Sequence, residues 1–558
     1  MRHSYLVSLC RLTTYCFGFV SLWFGAAVSV NAATLPTLPK SFNTAYQAPS
    51  GRMISVNAGG DLQAAINNAQ LGDTIVLQAG ATFVGPFVLP NKTGSGWIYV
   101  QSSAYSSLPA PGVRVGAADG ANMPKIVGTA SSASAISAPS QAHHFRFVGI
   151  EFTAAPGKLI TSLIGIGGSD TSAATLPHDI VIDRCYLHPD PTVGGRRAIS
   201  MDGAYVAVID SYLSGWKDKT GSDTQAIWAY NTTGPLQIHN NYLEAGSENI
   251  NTGGADNFDP SLVPADIEIT NNTFFKPVAW IGQGYNEKNL LEFKMAKRVL
   301  VSGNTFTNVW AESQAGWALI VSPRNQSGGN TWAGDSDITI KNNVFTNAGL
   351  GIRVGGHDDS YPSQQTQRVL IQDNVIVITG LNTNGYGWAF GVLGDPQDVT
   401  IDHNTVLIMG TYSVSSAYLI ADYGTIPPPS SGKYGPAANF TFTNNIAQKG
   451  IYGIKGAGTG DGLSTLNVFF QNTVFSNNAI IGGDPTVYSG KNFFPATAST
   501  VQFLNYAAGD YRLAASSPYR NAATDGLDVG ANVNVIAAPP VNSPTSGVPQ
   551  PPSSLTVN

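Results

Sequence analysis

The sequence predicts a parallel β-helix, a solenoid in which every coil of chain adds short strands to stacked sheets. Three observations carry that prediction. First, the pattern apolar-x-apolar-x-x-Asn-x-apolar recurs as LQIHNNYL (236–243), IEITNNTF (267–274), VLVSGNTF (299–306) and ITIKNNVF (338–345). It continues as VLIQDNVI (369–376), VTIDHNTV (399–406) and FTFTNNIA (440–447). Second, its asparagines, Asn241, Asn272, Asn304, Asn343, Asn374, Asn404 and Asn445, are spaced by 30 to 41 residues. Short period-2 strands repeating at that interval are the mark of a repeat architecture, whose units bury their apolar faces only by stacking. Third, only 11% of the 558 residues are charged, 43% are apolar and 61 are glycine, a composition suited to a turn-rich all-β chain. A seven-bladed propeller is the alternative architecture, and the unequal insertions between repeats argue against it.

Residues 1–32 read as a signal peptide. Arg2, His3 and Arg11 precede an apolar run from Leu12 to Val30, and Val30-Asn31-Ala32 offers small residues for cleavage. A retained membrane anchor is the alternative. With Cys10 and Cys16 inside this segment, the mature chain keeps only Cys185 and has no intrachain disulfide. Residues 33–54 form an N-terminal linker, 55–535 the solenoid and 536–558 a Pro/Ser-rich tail.

Within the solenoid, GGDLQAAINNAQLGDTIVLQAG (59–80) predicts a short capping helix and a strand, with Leu62, Ala65, Ile66 and Ala69 on one face. The Asn column predicts a buried ladder, each amide bonded to the matching residue of the next coil. Two earlier copies, IVIDRCYL (180–187) and VAVIDSYL (206–213), place Cys185 and Ser211 in that column, which makes Cys185 a small buried residue. The opening at 59–80 and GDYRLAASSPYRNAATDGLDVGA (509–531) resemble the first and closing segments of secreted right-handed parallel β-helix proteins of the pectate-lyase-like superfamily. That resemblance implies a right-handed helix and covers about 55–535. It implies no single activity, because one scaffold carries many chemistries.

A second strand in each coil aligns as AISMDG (198–203), QAIWAYN (225–231), ENINTGG (248–254), LLEFKMA (290–296), ALIVSPR (318–324) and LGIRVGG (350–356). Alternation sends Ile199, Met201, Ile227, Ile250, Leu291, Phe293, Leu319, Val321, Ile352 and Val354 inward. The outward row is Ser200, Asp202, Trp228, Tyr230, Asn249, Asn251, Glu292, Lys294, Ser322, Arg324 and Arg353. Such a row suits an anionic sugar chain, with guanidinium forks for carboxylates and aromatic faces for rings. The plain alternative is a surface ladder of cross-strand ion pairs. Arg353, Trp228, Tyr230, Asn251 and Asp202 are therefore expected to bind substrate, and Arg196 and Arg197 to extend the groove or form a turn.

The chemistry expected there is β-elimination on a uronate polymer, with Lys294 as base, its pKa lowered by Arg324 and Arg353. The segment LLEFKMAKRVLVSGNTF (290–306) followed by Arg324 resembles β-helical alginate and chondroitin lyases. The resemblance implies Lys294 as base, Arg324 as proton donor, and Glu292 as a carboxylate-neutralising or Ca²⁺-binding acid. The rivals are a glycoside hydrolase using two of Asp202, Glu248, Asp256 and Glu292, and a non-catalytic carbohydrate-binding surface protein. VGGHDDS (354–360), with His357, Asp358 and Asp359, reads as a loop metal site or a solvated turn. A net charge of −6 argues against duplex nucleic acid as partner. The expected protein is a secreted (extracellular or periplasmic) monomer with no stable membrane association after signal cleavage.

Overall fold

The computed structural model describes residues 33–488 and 490–533, so the segments read as signal peptide and Pro/Ser tail lie outside the described residues. Strands run from Met53–Val56 to Asp510–Leu513, and nearly all of them pair in parallel into sheets of 15, 13 and 12 strands. One coil shows how the chain is shared out: Ala265–Thr270 enters the first sheet, Thr273–Phe275 the second and Leu291–Phe293 the third. This is a right-handed parallel β-helix, and the propeller alternative falls because the sheets pair strands between successive coils. Among the described residues no helix is long and apolar enough to cross a membrane.

The turn from first to second sheet explains the Asn motif. The residue before each ladder position adopts left-handed backbone: Asn240, Asn271, Asn342, Asp373 and Asn444 have φ between 54 and 59°, and Gly303 has φ 70°. Short polar side chains and glycine tolerate that region best. The next residue is buried. The Asn304 backbone N–H donates to Asn343 Oδ1 at 2.9 Å, and Asn304 Nδ2 donates to Ile269 O at 2.8 Å and to Asn343 Oδ1 at 3.0 Å. The same contacts repeat from Asn241 to Asn445 and extend to Asn478 and Asn492, which the motif search missed. Cys185 occupies the column as expected, its N–H donating to Ser211 Oγ at 3.0 Å.

The ten residues expected to face inward from the third sheet all lie in one continuous apolar core. In the second sheet, Phe274, Phe306 and Phe345 stack at 4.4 and 4.5 Å between ring centres. The helix Leu62–Asn68 covers the N-terminal end with Leu62, Ala65, Ile66 and Ala69 buried, and Asp61 caps it by accepting from the Ala64 N–H. At the C-terminal end a second helix covers the core. The helix Leu463–Phe469 packs Leu466 and Phe469 into the core there. Residues 509–531 fold back along the helix, with Tyr511, Tyr519 and Val529 packed on Val375, Leu407 and Ile446.

The linker is a strap. The backbone N–H groups of Thr34, Thr37 and Lys40 donate to Asp398, Asp337 and Asp266 at 3.1, 3.0 and 3.0 Å, three acids that sit on every second coil of the first sheet. The spacing has a simple origin. Three residues of polyproline II chain rise about 9.3 Å, and two coils about 9.6 Å. Arg298 and Arg368, on the intervening coils, pair with Asp266 and Asp337. Deleting residues 33–41 is therefore expected to leave the solenoid folded but to cost it about 1–3 kcal/mol in urea unfolding. An unchanged midpoint would show that the strap contributes nothing.

Candidate functional site

The six aligned strands are consecutive neighbours in the third sheet: Arg197–Asp202, Gln225–Ala229, Glu248–Thr252, Leu291–Phe293, Trp317–Val321 and Leu350–Gly355. Their register sets Ser200, Trp228, Asn251, Glu292, Ile320 and Arg353 in one outward column, a coil apart. Lys294 follows directly on its strand, and the Arg324 N–H donates to the Lys294 carbonyl at 2.8 Å, so these two occupy adjacent coils.

Lys294 is the centre of the cluster. Its Nζ lies 3.5 Å from Glu292 Oε2 and 4.0 Å from Glu248 Oε1. Asn289 Nδ2 donates to Glu292 Oε2 at 3.0 Å. Gln225 Nε2 donates to Glu248 Oε2 at 2.7 Å, and Gln225 Oε1 accepts from Arg197 Nε at 2.9 Å. Lys288, 2.6 Å from Asp223, comes within 3.9 Å of Glu248. Glu248 is fully buried and its Oε1 has no hydrogen-bond partner. Burial pushes the Glu248 carboxyl up to about 7.

Here the electrostatic expectation for Lys294 is corrected. Burial alone would lower it, but Glu292, Glu248 and Asp223 outweigh burial and hold the ammonium above the usual lysine range. The arginines do not depress it because they are engaged or aimed elsewhere. Arg324 Nη1 donates to Asp358 at 2.9 Å, Asp359 at 3.2 Å and Ser360 at 2.9 Å. Asp358 also accepts from the Asn325 N–H at 2.7 Å, which makes this one residue of VGGHDDS a buried anchor for Arg324, while His357 bonds Asp395 and stacks on Tyr434. Arg353 is largely buried, its guanidinium lowered by burial and supported by Glu292, and its Nε has no partner.

Three expected binding residues prove to be framework. Asp202 is buried and accepts from the N–H groups of Tyr230 and Asn231 at 2.7 and 2.9 Å, so it builds a turn. Asn251 is 3% exposed and lies beneath the Gly253–Gly254 turn. Trp228 carries Arg197 at 3.8 Å and Tyr230 at 4.5 Å from its ring centre. Its indole N–H donates to Gly253 O at 2.9 Å, so neighbours hold the ring by edge as well as by face. Tyr230 keeps one ring face, its hydroxyl donating to Gly168 O at 2.6 Å. Sequence reading missed a second aromatic platform further along, where Trp317, Ile320 and Leu350 pack with Tyr386, Trp388 and Ile420 on the outer face. Gly391 makes room for it, since a Cβ there would sit 2.9 Å from Trp317.

The residues around Glu292 do not fit calcium. An ammonium, an amide NH₂ and a guanidinium face it, whereas Ca²⁺ takes six to eight oxygens. Behind the cluster lies a second buried pair that the sequence did not flag. Lys276 Nζ is 3.4 Å from Glu287 and donates to the carbonyls of Gly246 and Ser247, the two residues before Glu248. Burial also raises Glu287 to about 7 and Asp202 to about 6. These carboxyls bind protons more tightly folded than unfolded. Their contribution is intact below the ordinary carboxylate range and is lost as pH rises through about 6 to 7. The urea midpoint is expected to fall as pH rises from about 5 to about 7, and a rise over that window would contradict the assignment.

The cluster lies on the sheet face with little exposure, the Lys294 and Glu292 side chains being 14% and 8% exposed. Two concave spaces, of about 410 and 490 Å³, lie elsewhere, one beside the strap at Lys40 and Arg298 and one under the C-terminal segment at His403 and Arg512. Neither includes the Lys294 cluster.

No curated protein sequence matches the chain. A family described as disaggregatase related matches residues 335–535. Among solved structures, the PL6 family alginate lyase AlyGC is similar at 14% identity and a TM-score of 0.50, over 87% of this chain and 59% of that one. The catalytic unit of a thermostable GH87 α-1,3-glucanase from Streptomyces thermodiastaticus strain HF3-3 is similar at 15% identity and a TM-score of 0.50, over 82% and 72%. At these identities the likeness speaks for fold. By fold, the chain is a right-handed parallel β-helix, as these solved structures are.

Proposed function

We propose that the chain is a secreted enzyme that degrades an acidic, uronate-containing polysaccharide by β-elimination on the outer face of its third sheet. The observation that carries this reading is Lys294 set between Glu292 and Glu248, with Arg353 in the same outward column and its Nε unpartnered. Similarity to an alginate lyase and to a glucanase supports a carbohydrate-degrading role, since both neighbours act on polysaccharides.

Arg353 takes the sugar carboxylate and makes the C5 proton more acidic. Lys294 passes a proton to the bare oxygen of Glu248, 4.0 Å away, an uphill step because the surrounding acids hold the ammonium above the usual lysine range while Glu248 is raised only to about 7. The neutral amine removes the C5 proton, the C4–C5 double bond forms, and the C4–O4 bond breaks. The ammonium so formed returns that proton to the leaving oxygen, which Arg324 steadies by hydrogen bonding without surrendering its own proton. Glu292 orients Lys294. No step runs through a metal, so EDTA is expected to leave the rate unchanged.

Hydrolysis by Glu248 and Glu292 is the second reading. It is disfavoured because Glu248 has no exposure and an ammonium stands beside both acids. Incubation with alginate, pectate, chondroitin sulfate and neutral glucans, following unsaturated-uronate absorbance and reducing ends together, tests the proposal. Both rising on a uronate polymer is the expected result. Reducing ends alone would transfer the reading to hydrolysis, and silence across the panel to carbohydrate binding.

A further inference from the structure

Away from the Lys294 cluster, the first sheet brings three imidazoles together. His143 and His178 are register partners on adjacent coils, their rings stacked 4.8 Å apart at 3°. His144 and Asp179 are the next residues, both in left-handed backbone at φ 60° and 53°. One ring nitrogen from each of His143, His144 and His178 lies within 4.8 Å of the others.

The partners of these rings decide which nitrogens carry lone pairs. His143 Nε2 is 2.8 Å from the Lys92 carbonyl, and a carbonyl only accepts, so the proton sits on Nε2 and Nδ1 is bare. His178 Nδ1 is 2.6 Å from Asp179 Oδ2, which holds a proton on Nδ1 and bares Nε2. A carbonyl or carboxylate behind an imidazole is the usual outer shell of a metal-binding histidine, fixing both tautomer and ring orientation. His144 Nδ1 lies 2.7 Å from His143 Nδ1, so without an ion one of the two must spend its lone pair on the other. Three imidazoles, two of them with a fixed outer partner, therefore lie side by side next to Trp97, which packs 5.2 Å from His144.

We propose that His143, His144 and His178 bind a divalent transition-metal ion of the zinc class, with Asp179 and the Lys92 carbonyl as outer-shell partners. The ion staples two coils to the loop carrying Lys92. Imidazole nitrogens select zinc, nickel or copper over calcium or magnesium, which take oxygen. Tetrahedral zinc with bonds of about 2.0–2.1 Å needs N···N edges of about 3.3 Å. Closing the 4.8 Å spread to that edge requires the His144 and His178 rings, 29% and 38% exposed, to turn out of their present packing when the ion binds.

The test is zinc titration of the EDTA-stripped, dialysed full chain by calorimetry, with Co²⁺ absorbance as a second probe. One equivalent of Zn²⁺ is expected to bind with submicromolar Kd and to raise the Tm. His144→Ala and His178→Gln are each expected to weaken binding by roughly 100-fold or more. His178 is the more exposed ring, so His178→Gln carries the test should His144→Ala fail to fold. Co²⁺ is expected to give visible bands in the wild type alone. No saturable binding, binding indifferent to His178→Gln, or Ca²⁺ displacing Zn²⁺ at equal concentration would each overturn the site.

Discussion

Lys294→Ala is expected to lower kcat on a susceptible uronate polymer by about 10³-fold or more while KM moves little, because it removes the proton-transfer group and leaves Arg353 in place. The fold should survive the change. Glu248, deprived of its cation, is already easily protonated and becomes a neutral buried acid. Lys294→Arg separates base from electrostatic anchor. A guanidinium keeps the positive charge but does not deprotonate, so it should be as inactive as alanine. If Lys294→Arg retained substantial turnover, Lys294 would be a charge-neutralising residue and the base would lie elsewhere. Glu248→Gln adds a pH readout. It should slow turnover and remove the ionisation near pH 7 from the kcat/KM profile, an effect that loss of packing alone would not produce.

Asn343→Ala is expected to be the most damaging single change in the framework. It strips an acceptor from the Asn304 N–H and Asn304 Nδ2, and a donor from the Val301 carbonyl and Asn374 Oδ1. The Asn304 and Val301 groups are buried between coils where water does not reach. At about 1–3 kcal/mol per orphaned group, the cost should reach roughly 3–5 kcal/mol after relaxation, read from the urea midpoint. Asn343→Asp should cost a similar amount, because the carboxylate cannot donate to Val301. By contrast Cys185→Ala, at the same column's early end, deletes one sulfur that bonds only to carbonyls at 3.3 and 3.7 Å, and should cost less. Equal losses at the two positions would mean that the ladder is no more than volume filling.

The fold was legible because the Asn ladder needs one residue type at one place in each coil, and because alternation sorts side chains in a sheet buried on one face. Lys294 and Glu292 were legible for the same reason, two residues apart near one strand's end. The partners were not. Glu248 stands at a strand's first residue, where alternation gives no direction, and was noticed only as one acid among four. Lys276 and Glu287 lie in connecting segments and meet through a long turn, so no spacing announces them. The pull of Asp358 on Arg324 and of Arg197 on Trp228 arises between coils, from lateral offsets that sequence alignment does not carry. The ladder's last members, Asn478 and Asn492, escaped because the strands leading to them are too short to show the motif, Val474–Ser476 having three residues. The strap was taken for a linker because its three-residue rhythm matches the coil spacing only once the coils exist.

The central claim is elimination at Lys294, and product mass tests it most directly. Digestion of a defined uronate oligosaccharide in heavy-oxygen water, followed by mass spectrometry, should give one fragment lighter by a water and no label in either fragment, with both signals absent for Lys294→Ala. Heavy oxygen at the new reducing end, or unaltered product formation by Lys294→Ala, would contradict it.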